Sequence, residues 1–202
     1  MSILFRIIFS SLYLDFHYNV DLLFEFLVVE YKKDWPQQFL KIKTELQKVL
    51  TIPCQVQHVG STSIPGMKAK PIIDIDVGLE NWEDFEKIKS ALAGIGYLHE
   101  GDRGIMGREA FGRSGTVHNE ILDSIDHHLY VCSVNNEEYK RHILFRNYLK
   151  NHDEARDRYN QIKEEILAKV GPENRAGYVQ MKEEEYGDFF EEIIEKANKE
   201  II

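Results

Sequence analysis

His58-Val59-Gly60-Ser61-Thr62-Ser63-Ile64-Pro65-Gly66, followed by Lys70-Pro71-Ile72-Ile73-Asp74-Ile75-Asp76-Val77, is the stretch whose reading decides the fold. Gln55 to Val59 alternates polar and apolar residues, the pattern of a short strand with one buried face. Gly60 to Gly66 is a polar, turn-rich loop. Ile72 to Val77 is a strand dominated by isoleucine and valine, expected to be covered on both faces, with its aspartates as the exceptions. Side chains two apart on a strand share a face, so Asp74 and Asp76 present two carboxylates side by side. Like charges on so apolar a strand are costly unless something neutralises them. A divalent cation does so, and Mg²⁺ takes few protein carboxylates, completing its shell with water and substrate phosphate. Asp74 and Asp76 are therefore candidate Mg²⁺ ligands and catalytic residues. An isolated Asp-x-Asp is more simply a pair bonded to nearby loops, but here a loop suited to anions lies just upstream. Gly60 lets backbone approach a ligand, while Ser61, Thr62 and Ser63 bring hydroxyls and N–H donors to anionic oxygens. Lys68 and Lys70 add counter-charges for a phosphate.

Working outward, Trp35-Pro36 opens a helix whose apolar face is Phe39, Leu40, Ile42, Leu46 and Leu50. Trp82, Phe85, Ile88, Leu92 and Ile95 mark a second, stopped by Gly94 and Gly96. The stretch Gly101 to Gly115 holds five glycines and three arginines and reads as irregular strands with a mobile loop. At least one of Arg103, Arg108 and Arg113 is expected in the cleft of Asp74, with Arg103 and Arg113 as candidate phosphate ligands. His127 to Val134 is another strand by alternation. His128 shares a face with Tyr130, and His127 with Leu129, so His128 is the histidine expected beside the aspartates. After Asn135 the chain is helical: one helix carries Tyr139, Ile143, Arg146 and Leu149, and a second carries Tyr159, Ile162, Ile166 and Val170. Gly171-Pro172 breaks the pattern before a third with Tyr178, Met181, Tyr186, Phe189, Phe190 and Ile193. Strands early and helices late give an α/β (α+β) class with a helical C-terminal half.

The length of 202 residues suits one domain, or one domain with an extension. A net charge of −9 argues against strong non-specific nucleic-acid binding, which scales with the phosphates a protein neutralises. The acidic run Glu183, Glu184, Glu185, Asp188, Glu191 and Glu192 reads as a solvated helix face. Cys54 and Cys132 form no disulfide framework and read as buried thiols, which fits a cytoplasmic protein. Ile3 to Val29 is rich in Leu, Phe and Ile but is interrupted by Arg6, Asp15, His17, Asp21 and Glu25. It has no apolar run of the roughly 20 residues that span a bilayer and no secretory pattern. Residues 1–27 are read as an appended, dispensable segment of uncertain status, and 28–200 as the domain.

Gly60-Ser61 followed by Asp74-Ile75-Asp76 resembles the signature of the nucleotidyltransferase superfamily. The fuller string from His58 to Gly66, with Lys70 to Ile75, resembles the GrpB family more narrowly. Trp35-Pro36, His127-His128-Leu129-Tyr130-Val131, Phe145-Arg146-Asn147-Tyr148-Leu149 and the Tyr178…Lys182 spacing extend the match over about Val28 to Ala197. The resemblance implies a nucleotidyltransferase-like mixed sheet flanked by helices. It also implies Mg²⁺-dependent transfer of a nucleotide from a nucleoside triphosphate to an unidentified small-molecule or macromolecular acceptor. Asp74 and Asp76 would hold the metal, Gly60 and Ser61 the triphosphate tail, and His128 would assist. The superfamily also uses a third carboxylate on a later strand, where this chain offers His128 and Tyr130, and Asn147 stands where the family often has Asp. A catalytically inactive nucleotide- or phosphate-binding module is the alternative those departures leave open.

Overall fold

The computed structural model describes residues 28–201, so the reading of residues 1–27 as an appended segment lies outside the described residues. Pro36 sits in the first turn of α1 (Trp35–Val49), where its missing N–H has no helical partner to lose. Trp35, Ile42 and Leu46 form the buried stripe of α1, and Leu40, expected on it, is 47% exposed. Then come β1 (Cys54–Val59), a 3₁₀ turn at Ser61–Ser63, and β2 (Ile73–Leu79). A second 3₁₀ turn, Trp82–Asp84, leads into α2 (Phe85–Gly94). The glycine-rich stretch is more regular than its composition suggests, because β3 (Tyr97–His99) pairs with β4 (Arg108–Arg113). A short helix, α3 (Glu120–Ser124), is held by Asn119, whose side chain accepts from the amides of Ile121 and Leu122. After β5 (His127–Ser133) come α4 (Glu137–Asn151), α5 (Asp153–Val170) and α6 (Arg175–Ile201).

The five strands form one mixed sheet in the order β1-β2-β5-β4-β3. β2 is antiparallel to β1 and parallel to β5, and β4 is antiparallel to both β5 and β3. The register places Val59, Asp74 and His128 in one row across three strands, and Gln57, Asp76 and Tyr130 in the next. Ile73, Ile75, Val77 and Leu79 of β2 point into a core built with Ile42 and Leu46 of α1 and Ile88 and Leu92 of α2. A second core joins Leu149 of α4, Ile162 and Ile166 of α5, and Phe190 and Ile193 of α6 to Ile64 and Met67 from the loop after β1. β2 is thus covered on both faces, as its composition implied. The class is α+β with a helical C-terminal half.

Most of the acidic run on α6 is exposed, and several of its members are ion-paired: Glu185 with Lys169, Glu191 with Arg141 and Glu192 with Lys196. Both thiols are free; Cys132 is buried, whereas Cys54 is only partly so. Among the described residues no helix is long and apolar enough to cross a membrane.

Candidate active site

The turn that leaves β1 is locked from within. Gly60 has φ +68°, and a Cβ there would stand 2.2 Å from Asp74 Oδ2, so the backbone lies directly against the carboxylate as only glycine allows. Ser63 Oγ donates to the Gly60 carbonyl (2.6 Å) and Thr62 Oγ1 to the Ile72 carbonyl (3.2 Å). With its proton so used, Thr62 accepts from His58 Nε2 at 3.0 Å. His58 also stacks on Phe39, with ring centroids 4.7 Å apart. Burial pushes the His58 imidazole down to about 4, against the influence of Asp74. Thr62 and Ser63 were expected to reach a phosphate. They are 1% and 5% exposed, their hydroxyls hold the turn's shape, and Thr62 lines the cavity of Asp74.

Both aspartates line one cavity of about 160 Å³, and each is gripped by a histidine. His128 Nδ1 lies 2.9 Å from Asp74 Oδ1, and His142 Nδ1 lies 2.7 Å from Asp76 Oδ2. Asp76 is fully buried, and among the described residues its Oδ1 has no hydrogen-bond partner. Burial disfavours the Asp74 charge, but the His128 bond and the fields of His128, His142 and His58 outweigh it and hold the carboxyl below its usual range. Burial likewise opposes protonation of His142, yet Asp76 raises it above an ordinary histidine. Glu138 lies one helical turn before His142 on α4, with one oxygen 3.8 Å from His142 Nε2. Burial lifts Glu138 to about 7 despite the cations around it. His127 points the other way, to Tyr97 Oη (2.5 Å) and the Ile125 carbonyl (2.6 Å), so strand alternation separated the two histidines correctly.

The cationic wall departs further from expectation. Arg103 pairs with Glu100, and Arg113 binds Asp123 together with the carbonyls of Ile95 and Val117. Neither lines the cavity with Asp74. Nearby carboxylates and turn carbonyls captured both, which composition could not reveal. Of the three arginines, Arg108 lines that cavity; it is 2% exposed, with its guanidinium 4.2 Å from the Tyr130 ring centroid. Lys70 lines it too, whereas Lys68 is drawn off to Glu30 (2.7 Å) and Glu164 (2.5 Å). Two further lysines come from the helical half. Lys163 Nζ donates to Ser61 Oγ (2.8 Å) and to the Lys68 carbonyl, and Lys182 of α6 lies in the same cavity wall. Arg146 donates to the His58 carbonyl (2.9 Å) and Gln57 Oε1 (3.0 Å), bracing β1 from α4.

Sequence reasoning missed His142, Glu138 and Lys163. For the first two a signal existed: Glu138, His142 and Arg146 recur every four residues, one polar face of a helix. Lys163 meets Ser61 across 102 residues and left no local trace.

A family model described as "GrpB protein" matches residues 25–196. The chain is 31% identical over 158 residues to UPF0157 protein YqkA of Bacillus subtilis (strain 168), a match covering 78% of this chain and 44% of that one. It thus spans less than half of that relative's length. It is also 31% identical over 172 residues to the glutamate-rich protein GrpB of Alkalihalophilus pseudofirmus, covering 84% of this chain and 94% of that one. The crystal structure of conserved protein GrpB from Enterococcus faecalis superposes with a TM-score of 0.69 at 31% identity, covering 86% of this chain and 98% of that one.

Proposed function

The chain belongs to the GrpB family, and from that premise we propose that its cleft is the site of Mg²⁺-dependent transfer of a nucleotide from a nucleoside triphosphate to an unidentified acceptor. One observation carries the reading. Asp74 and Asp76 face the same cavity, and each gives one oxygen to a histidine. That leaves Asp74 Oδ2, packed on Gly60, and Asp76 Oδ1, buried without a hydrogen bond among the described residues. A buried carboxylate oxygen left unpaired is costly, and a hard cation held by both carboxylates would remove the cost. Among the described residues no three His, Cys, Asp or Glu side chains converge on a metal-sized site. Two carboxylates fit Mg²⁺, which leaves the rest of its shell to water and phosphate.

When bound, the metal would neutralise charge on the phosphate oxygens and on both aspartates. The chain's own residues do the rest. His128 and His142 fix the carboxylate rotamers as ligand-orienting partners commonly do. The Gly60-Ser61 turn brings backbone to the edge of Asp74, where the phosphates would lie. Arg108 and Lys70 contribute positive charge on the cavity wall. The second reading, a phosphate-binding module without turnover, is supported by β5, which sets His128 and Tyr130, and no carboxylate, in register with Asp74 and Asp76.

Thermal melts with each of the four common nucleoside triphosphates, with and without Mg²⁺, test the proposal alongside a pyrophosphate-release assay. A Mg²⁺-dependent rise in Tm with at least one nucleotide is expected, and Asp74→Asn should lose it while staying folded. No shift with any nucleotide, or an unchanged shift in Asp74→Asn, overturns the assignment. A shift without pyrophosphate release supports the non-catalytic module.

A further inference from the structure

We infer that Lys70, Lys163 and Lys182 form a buried subsite for a polyphosphate chain, supplied largely by the helical half of the protein. The inference rests on the phosphate-ligand reading of the same cleft, but not on metal binding or on transfer.

The three ammonium groups come from three separate parts of the chain, the segment before β2, α5 and α6, and line one cavity. Lys163 and Lys182 are 3% and 7% exposed. A buried ammonium is tolerated when it is paired with negative charge. Among the described residues the hydrogen-bond and ring partners of Lys163 are neutral: the Ser61 hydroxyl, the Lys68 carbonyl and the Tyr159 ring, whose centroid is 4.2 Å from Nζ. The lysines also repel one another. The charge of Lys182 acts on Lys163, that of Lys70 on Lys182, and that of Arg175 on Lys70. Against them stand Asp74, which acts on all three and already holds His128, and Glu183 beside Lys182.

The three lysines thus repel one another within one cavity, and an anion that brings several negative oxygens offsets that repulsion. A chain of phosphates does so, and three ammonium groups drawn from three parts of the chain offer it several points of contact. Ser61 fixes the position. Its hydroxyl is held by Lys163, so the anion subsite abuts the Gly60 turn and the carboxylate pair beyond it. Burial foremost, together with the neighbouring cations, lowers Lys70 to about 8 and Lys182 to about 7, and holds Lys163 well below the ordinary lysine range. An anion arriving there restores full protonation, so binding draws protons from solvent.

Calorimetry on the full chain with inorganic tripolyphosphate, in EDTA, tests this apart from any metal. Wild type should bind, and titrations in two buffers of different ionisation enthalpy should show net proton uptake. Binding should tighten as the pH falls from about 8.5 to about 7. Lys163→Met and Lys182→Met should each weaken binding at least about tenfold, while Asp74→Asn keeps or strengthens it. ATP binding more tightly than tripolyphosphate identifies a nucleotide tail as the natural source; the reverse order identifies free polyphosphate. Absence of metal-free tripolyphosphate binding in wild type overturns the subsite. So does wild-type affinity in both lysine variants once circular dichroism shows them folded. Should Lys163→Met fail to fold, Lys182→Met and the proton uptake of wild type decide. Tripolyphosphate binding without any Mg²⁺-dependent nucleotide effect would keep the subsite and refute the transferase reading. Mg²⁺-nucleotide binding unaffected by the lysine changes would do the opposite.

Discussion

His58 shows how much of the site depends on one uncharged ring. It is 9% exposed, stacked on Phe39 and bonded to Thr62, and burial lowers it to about 4. In the unfolded chain it titrates near 6.5, as an ordinary histidine does. The folded state thus binds protons less readily than the unfolded state. The contribution of His58 is whole above about pH 6.5 and is lost as the pH falls towards about 4, by on the order of 3 kcal/mol. His58→Gln keeps a donor for Thr62 and removes the titration. Urea unfolding at about pH 7 and about pH 4.5 should give wild type the larger loss of stability between the two conditions. Equal losses in both proteins would show that His58 is not the acid-sensitive group.

At the scale of elements, α4 and β2 meet without slack. β2 turns Asp74, Asp76 and Gly78 towards the helical half, and α4 answers Asp76 with His142 and Gly78 with Tyr139. A Cβ at Gly78 would lie 2.5 Å from Tyr139 Cζ. Gly78→Ala should therefore push α4 off the sheet and cost about 1–3 kcal/mol by overpacking. Replacing Tyr139 by Leu in the same chain should recover much of that loss. A double-mutant cycle measures the coupling, and additive effects would mean that the ring does not set the spacing. The Tyr139 hydroxyl also donates to Gln55 Oε1 at 3.2 Å, so the same side chain ties α4 to β1.

Across the whole molecule, the cleft lies where two cores meet. The sheet with α1 and α2 holds one; α4, α5 and α6 hold the other, and the loop after β1 reaches into it through Ile64 and Met67. The two halves should therefore respond differently to cavities. Leu92 in the first core and Ile166 in the second are both fully buried, and truncation of either to Ala should cost about 2–5 kcal/mol. Ile166→Ala loosens the helix that carries Lys163 and should weaken tripolyphosphate binding by the folded protein, whereas Leu92→Ala should leave that affinity unchanged. Calorimetry well below both melting temperatures checks this, and equal affinities in the two variants would mean that packing of α5 does not set the anion subsite.

The order of the longer elements, the buried strand β2, the shared face of Asp74 and Asp76 and the opposite facing of His127 and His128 were legible in the sequence. Each follows from rules that act over a few residues: strand alternation, turn chemistry and helix breaking at Gly171-Pro172. β3 and α3 were not legible, since one has three residues and the other five, too few to show a period. The tertiary structure alone decided which charges reach the cleft. Arg103 and Arg113 were captured by Glu100 and Asp123, Lys68 by Glu30 and Glu164, and Arg108, Lys163 and His142 stand in the wall instead. A long charged side chain goes to whichever partner the fold brings within a few ångströms, and that choice is made between segments as far apart in sequence as Ser61 and Lys163.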